Sequence, residues 1–326
     1  MAKVCIDSRV LTANLDAVLR DVGACGAVLR ADVSAHVCPE LRQRIAKHGI
    51  SRFAVGAVPD AVTLADEDTK SVLVTRPAAA GDFDLLRMDH SPNIRLTIDH
   101  FVQAERISQA AVATGTEFSV VIDIDTGDGS TGIRPGTDAC ELALGANRLG
   151  GIRVTGLHTW VPRDGDVQHS TQALGHTMQL LTSADVGCDH IGISCRPNAL
   201  VDAVAPVVTE ISFDAFLDPR IAAPDAVTSM GVPTQPAIWI EAEVISRPSL
   251  DRAVLNIGDQ LLRSRERIVW LPDLPGTRIR SCGADYCVVE VSHQAANLRI
   301  GDHVRIAPED PTGTILRSTS PNIVWY

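Results

Sequence analysis

Lysine is nearly absent. Lys3, Lys47 and Lys70 are its only occurrences in 326 residues, so arginine carries almost all of the basic charge. No Lys/Arg-rich run offsets a net charge of −11 and a pI near 5.3, which argues against nucleic acid or an anionic membrane surface as partner and for a small-molecule ligand. Long apolar runs are missing too. Nothing approaches the roughly 18 residues of a membrane span, and the opening MAKVCIDSRV has no apolar h-region, so a cytoplasmic protein is expected. The eight cysteines include no CxxC pair, which speaks against a zinc site or a disulfide framework and predicts reduced, mostly buried thiols.

What is present is alternation. Strand candidates AVLRADV (27–33), RFAVGAV (52–58), SVLVTRP (71–77), NIRLTID (93–99), EFSVVIDID (117–125), RVTGLHTWV (153–161), HIGISC (190–195) and VVTEISF (207–213) are separated by helical stretches. Those include CPELRQRIAKHG, with Pro39 early and Gly49 closing it, and HFVQAERISQAAVATG, closed by Gly115. Eight strand–helix units predict a TIM (β/α)8 barrel, and the absence of GxGxxG after the first strand weighs against an open dinucleotide-binding sheet. After SMGVPTQPA (229–237) the pattern changes to strands joined by turns: IWIEAEVISR, RAVLNIG, RIVWLP, TRIRSCGADYCVVEV, HVRIAP and TGTILR. The expected division is a barrel over 8–228 and an all-β domain over 229–326, which residues 1–7 can join.

Barrel chemistry sits where strands end and loops begin. In VLRADVSAHV (28–37) an extended chain puts Asp32, Ser34 and His36 on one face; Asp123 with Asp125, and His158 with Trp160, share faces likewise, and Cys195 and Arg196 end the seventh strand. Converging carboxylates in a low-dielectric mouth raise one another's pKa, and His36 or Asp32 can move a proton near neutral pH. The plainer alternative is that these groups bond one another and cap the next helix. A Ser34–His36 nucleophile and base is a weak reading, because side chains two apart on a strand are separated by roughly 7 Å. Trp160 can stack on a planar ligand or merely fill volume. Arg196 can grip a carboxylate, and Cys195 reads first as a small hydrophobe. A divalent ion on Asp123, Asp125 and Asp128 has no spacing signature, so no metal is expected.

A leading helix LTANLDAVLRDVG, a barrel and then a β-domain resemble the fold-type III pyridoxal phosphate enzymes. The nearest likeness is to the D-threonine aldolase and D-serine dehydratase group, with alanine racemase more distant. LRADVSAHVCPEL is similar to that family's Leu-Arg-Pro-His-x-Lys-Thr-His-Lys motif, VIDIDTGDGSTGI to its Asp-x-Gly-x-x-Arg-x-Gly turn, GLHTW to Gly-Leu-x-x-Tyr, and EISFDAF to Glu-Leu-x-Pro-Gly-x-Tyr. VISRPSLDRAVLNIGDQLL resembles the first β-domain hairpin, and LRIGDHVRIAPEDPTGTIL the closing Gly-Asp-x-Val-x-x-x-Pro-x-His-x-Cys segment.

The likeness implies a lysine that forms an imine with the cofactor, yet Ser34 stands at that position, and a hydroxyl cannot form one. The neighbouring histidine becomes Asp32, the turn arginine Ser130, the eighth-strand tyrosine Phe216 and the phosphate cradle SCRPNA; the metal-binding His and Cys become Asp310 and Thr312. The leading expectation is therefore that pyridoxal phosphate and metal are both lost. What would remain is a cofactor-independent lyase or isomerase on a small amino- or carboxylate-bearing substrate. Its working groups would be Asp32, His36, Asp123, Asp125 and His158, with Ser34 beside them and Trp160, Cys195 and Arg196 holding the ligand. The alternatives are a catalytically inactive relative that binds a metabolite or protein partner, and a residual pyridoxal phosphate-dependent aldolase or dehydratase of D-amino acids. The resemblance also implies a homodimer in which Cys282, Asp285 and Tyr286 approach the barrel mouth of the second copy.

Overall fold

The computed structural model describes residues 2–33, 39–65, 69–79, 81–88, 93–161, 165–195, 206–213, 217, 236–262, 274, 276–291, 297–308, 314–315, 318 and 323–326. They form two compact units, one running from residue 17 to 213, the other made of the first 16 residues with those from 236 onward and residue 217.

The chain opens with β1 (Lys3–Ile6), which belongs to the second unit, and α1 (Ser8–Ala24). The first unit is a closed barrel of parallel strands in chain order: β2 (Val28–Asp32), β3 (Arg52–Val55), β4 (Ser71–Val74), β5 (Ile94–Ile98), β6 (Phe118–Ile124), β7 (Ile152–Trp160), β8 (His190–Ser194) and β9 (Glu210–Phe213). All eight expected strands are there, and β9 closes the ring on β2 with Glu210 opposite Val28. The helices α2 (Pro39–Lys47), α3 (Val58–Leu64), α4 (Asp82–Met88), α5 (Phe101–Thr114), α6 (Thr137–Ala146) and α7 (Val167–Ser183) fall between them. A parallel pair needs such a crossover, which is why strand and helix alternate in the sequence.

Local chemistry sets the helix ends. Before α5, His100 Nδ1 accepts from the Val102 N–H at 3.2 Å while Gln103 Oε1 reaches back to the N–H groups of Asp99 and His100, so three orphan donors are satisfied. Gly115 ends the helix in the left-handed region at φ 68°.

The second unit is a sheet of order β12–β13–β11–β10–β1–β15, with β14 also paired to β10. Its members are β10 (Ile238–Ser249), β11 (Arg252–Leu255), β12 (Arg278–Cys282), β13 (Cys287–Glu290), β14 (His303–Ile306) and β15 (Ile323–Trp325). The alternation IWIEAEV buries Ile238, Ile240, Ala242 and Val244 on one face, against Ala253, Leu255, Val289, Val304 and Ile306.

Two expectations change here. TGTILR does not read as a strand, since its described residues Thr314 and Ile315 lie in a helical turn, and RIVWLP lies outside the described residues. The last strand is instead β15, parallel to β1 with Cys5 opposite Val324. Reduced thiols were expected throughout, but Cys282 and Cys287 form a disulfide across the β12–β13 hairpin, where the register puts them face to face.

Candidate active site

The barrel strands are apolar outside and polar inside. Alternation turns Arg30 and Asp32, Arg95 and Thr97, Asp123, His158, His190 and Ser194, and Glu210 and Ser212 toward the lumen, the direction being fixed by Arg95 Nη1 lying 4.0 Å from Glu210 Oε1 across the ring. The polar groups form two tiers. A lower tier of Arg30, Arg52, Ser71, Arg95, His190 and Glu210 closes the N-terminal pole, and an upper tier faces the C-terminal mouth.

Three side chains line up in the upper tier. Ser194 Oγ and His158 Nε2 share a hydrogen bond of 2.9 Å, His158 Nδ1 lies 3.5 Å from Asp123 Oδ1 without a hydrogen bond, and Asp123 Oδ2 accepts from Thr131 Oγ1 at 2.8 Å. All three are buried. Room for the imidazole comes from Gly192, where an added Cβ would stand 2.7 Å from His190 Nε2 and 3.3 Å from His158 Cδ2. Thr97 Oγ1, Ser212 Oγ and His158 Nδ1 are buried with no hydrogen-bond partner. Orphaned polar atoms in a lumen are costly, and a polar ligand relieves them.

The residues singled out by sequence separate into distinct roles. Asp123 and His158 come together. Asp125 does not join them, because its Oδ1 accepts from the N–H groups of Gly127 and Gly129 and organises the turn after β6. The turn folds back through Ile133, whose N–H donates to Asp123 O, and Gly132 (φ 99°) is required there because a Cβ would lie 2.5 Å from Asp125 N. Asp32 ends β2, half-buried. Trp160 ends β7 with 40% of its surface exposed, in register with Ser194. Cys195 is buried, and burial pushes its thiol up to about 12, so it offers no thiolate near neutral pH. Ser34, His36 and Arg196, like Phe216, Asp310 and Thr312, lie outside the described residues.

Sequence reasoning missed Ser194, Thr97 and Ser212 in the upper tier and the whole charged lower tier. The signal was available in HIGIS, whose period of two sets His190, Gly192 and Ser194 on one face, and in Arg30 and Glu210, charges embedded in apolar strands.

The chain is 24% identical to the D-threonine aldolase of an Arthrobacter species over 329 residues, 94% of this chain and 85% of that one. Among solved structures, D-threonine aldolase from Filomicrobium marinum matches with a TM-score of 0.86 at 20% identity, covering 97% of this chain and 89% of that one. D-threo-3-hydroxyaspartate dehydratase from Delftia sp. HT23 matches with a TM-score of 0.81 at 19% identity, covering 98% and 92%.

These relatives are enzymes, and they correct two expectations. Cofactor-independent chemistry, and the loss of both pyridoxal phosphate and the metal site, do not stand beside an aldolase and a dehydratase of the pyridoxal phosphate class, the second of which is also known in a form specified as metal-free. The expectation treated several substituted positions, Ser34 foremost, as the loss of a pocket. A cofactor is held through its ring and phosphate as well as through an imine.

Covalent attachment itself does not fit this chain. Lys3 lies on β1, Lys47 ends α2, and Lys70 precedes β4 at the N-terminal pole with its N–H bonded to Ser51 O. No lysine of the sequence ends a barrel strand, so no amine is offered at the mouth. Among the described residues no group of three or more His, Cys, Asp or Glu side chains is placed to hold a metal ion. The family model for the alanine racemase N-terminal domain matches residues 6–200, more than half of the sequence, and this chain belongs to that family.

Proposed function

We propose that the upper tier of the lumen binds a D-configured β-hydroxy amino acid and acts on it as a lyase, with pyridoxal phosphate held at the mouth without an imine to the chain. The observation that carries this reading is the buried Asp123–His158–Ser194 line in a chain whose lysines all lie elsewhere. The substrate class comes from the names of the relatives, a D-threonine aldolase and a D-threo-3-hydroxyaspartate dehydratase.

His158 is the proton carrier in this reading. Its Nε2 is engaged by Ser194 Oγ, and its Nδ1 faces the Asp123 carboxylate 3.5 Å away, which orients the ring. Ser194 Oγ is then the group through which a proton passes to or from a substrate hydroxyl. The partnerless Thr97 Oγ1 and Ser212 Oγ supply further polar contacts, and Trp160 offers a ring face at the mouth. A second copy of the chain belongs to the same reading, with Tyr286, 51% exposed at the tip of the β12–β13 turn, presented to the neighbouring mouth.

The test uses purified full-length protein. It is supplied with pyridoxal phosphate, and absorbance between 330 and 430 nm is read before and after borohydride, followed by peptide mass analysis and assay of aldehyde or ammonia release from D-threonine and D-threo-3-hydroxyaspartate. The expected result is bound cofactor, turnover of a D-β-hydroxy amino acid, and no reduced adduct on any lysine peptide. An adduct on Lys3, Lys47 or Lys70, or failure to bind the cofactor at all, overturns the reading.

A further inference from the structure

Among the described residues, the N-terminal pole of the barrel gathers three guanidinium groups around one carboxylate. Arg30 is fully buried and gives all its donors to Glu210, Phe53 O and Ser71. The same carboxylate also meets Arg52 Nε at 3.1 Å and Arg95 Nη1 at 4.0 Å. Among the described residues Glu210 is the one carboxylate within 4.0 Å of any of the three guanidinium groups. Among the described residues three cations therefore share one anion.

His190 adds nothing to offset this. Its Nδ1 is 3.0 Å from Glu210 Oε2, and burial outweighs that contact and lowers the imidazole to about 4, leaving it neutral at pH 7. Arg95 Nη1 is moreover buried with no hydrogen-bond partner. Guanidinium groups left short of acceptors in a partly dry site are the donors that oxyanions take, through planar, two-pronged contacts. Access exists, since the Arg52 and Arg95 side chains keep 33% and 24% of their surface exposed at the starts of β3 and β5.

We propose that this pole is a binding site for a small oxyanion, a phosphate dianion being the best match in charge, gripped by Arg95 and Arg52 above the Arg30–Glu210 pair. The site lies at the opposite end of the strands from the mouth, and it stands whether or not the reading of the upper tier holds.

Thermal melting of the full chain in phosphate and in chloride at equal ionic strength tests it, with Arg95→Gln, Arg52→Gln and, as control, Arg153→Gln, whose exposed partner is Glu117. A saturable rise in Tm with phosphate is expected for the wild type and Arg153→Gln, with affinity at least tenfold weaker in Arg95→Gln and in Arg52→Gln. No phosphate-specific rise, or an undiminished rise in folded Arg95→Gln, overturns the proposal. If the variants fail to fold, tungstate-soaked wild-type crystals decide: a heavy-atom peak beside the Arg95 guanidinium supports the site, and a peak only at the mouth or none overturns it.

Discussion

Arg30 uses each of its five N–H donors inside the barrel, and no water replaces them if a partner goes. Glu210→Gln leaves that guanidinium buried without its counter-charge, and a loss of about 3–5 kcal/mol in unfolding free energy is expected from urea denaturation. The same cluster sets a pH dependence. His190 has a folded pKa of about 4 against 6.5 in water, so between those values the unfolded chain binds a proton that the folded one refuses. Stability is full above about 6.5 and falls as pH drops toward 4, by on the order of 3 kcal/mol. Burial raises the carboxyl of Glu210, but His190 and Arg30 together outweigh it and hold it well below the usual range, so its contribution is lost only at still lower pH, beneath 4.5. Urea midpoints at pH 7, 5.5 and 4.5 check the first window. A His190→Gln variant is expected to flatten the decline between pH 6.5 and 4.5, leaving only the carboxylate term below.

At the scale of elements, β8 shows how a strand serves a site by omitting a side chain. Gly192→Ala puts a methyl group 2.7 Å from His190 Nε2 and presses on His158, so a loss of about 1–3 kcal/mol is expected, together with a lower rate of D-β-hydroxy amino acid turnover at unchanged cofactor binding. The cap of α5 is a cleaner test of local structure. His100→Ala removes the acceptor for the Val102 N–H and should cost about 0.5–2 kcal/mol by thermal melting, with no change in pyridoxal phosphate binding. Strand positions were legible because a parallel barrel needs apolar outer faces, and runs such as SVLV and FSVVIDI supply them. The inner faces were harder to read. Asp123 and His158 stood out as polar residues at strand ends, but Ser194 and Thr97 are small and common in any strand. Their role depends on which neighbour the register brings alongside, as when β7 sets Trp160 against Ser194.

At the scale of the whole molecule, the barrel and the sheet unit announced themselves as a change from strand–helix alternation to strands joined by turns. What sequence alone could not give was pairing between distant segments. The strand β15 is three residues long and is recognisable only beside β1, and the Cys282–Cys287 bond follows from a hairpin register rather than from cysteine spacing. Reduction with dithiothreitol is expected to lower the unfolding temperature of the sheet unit while leaving the barrel's pH-dependent loss unchanged, which calorimetry of the full chain at pH 7 and 5 resolves. The cofactor followed the same logic of scale. The relatives matched over nearly the full length are an aldolase and a dehydratase, whereas a handful of positions, Ser34, Ser130 and Phe216 among them, pointed away from their cofactor.

The ring closes between its first and last strands, and the family match to residues 6–200 stops before β9 begins at Glu210. During synthesis, the guanidinium of Arg30 therefore waits for an acid made 180 residues later, on the order of ten seconds or more at ordinary translation speeds. Throughout that interval β2 is a raw edge with unpaired amides, and β8 becomes a second one once it is made, both open to a neighbouring nascent chain. A fragment ending at residue 205 is thus expected to aggregate and bind hydrophobic dyes where the complete polypeptide does not, making the final strand a latch rather than an appendage.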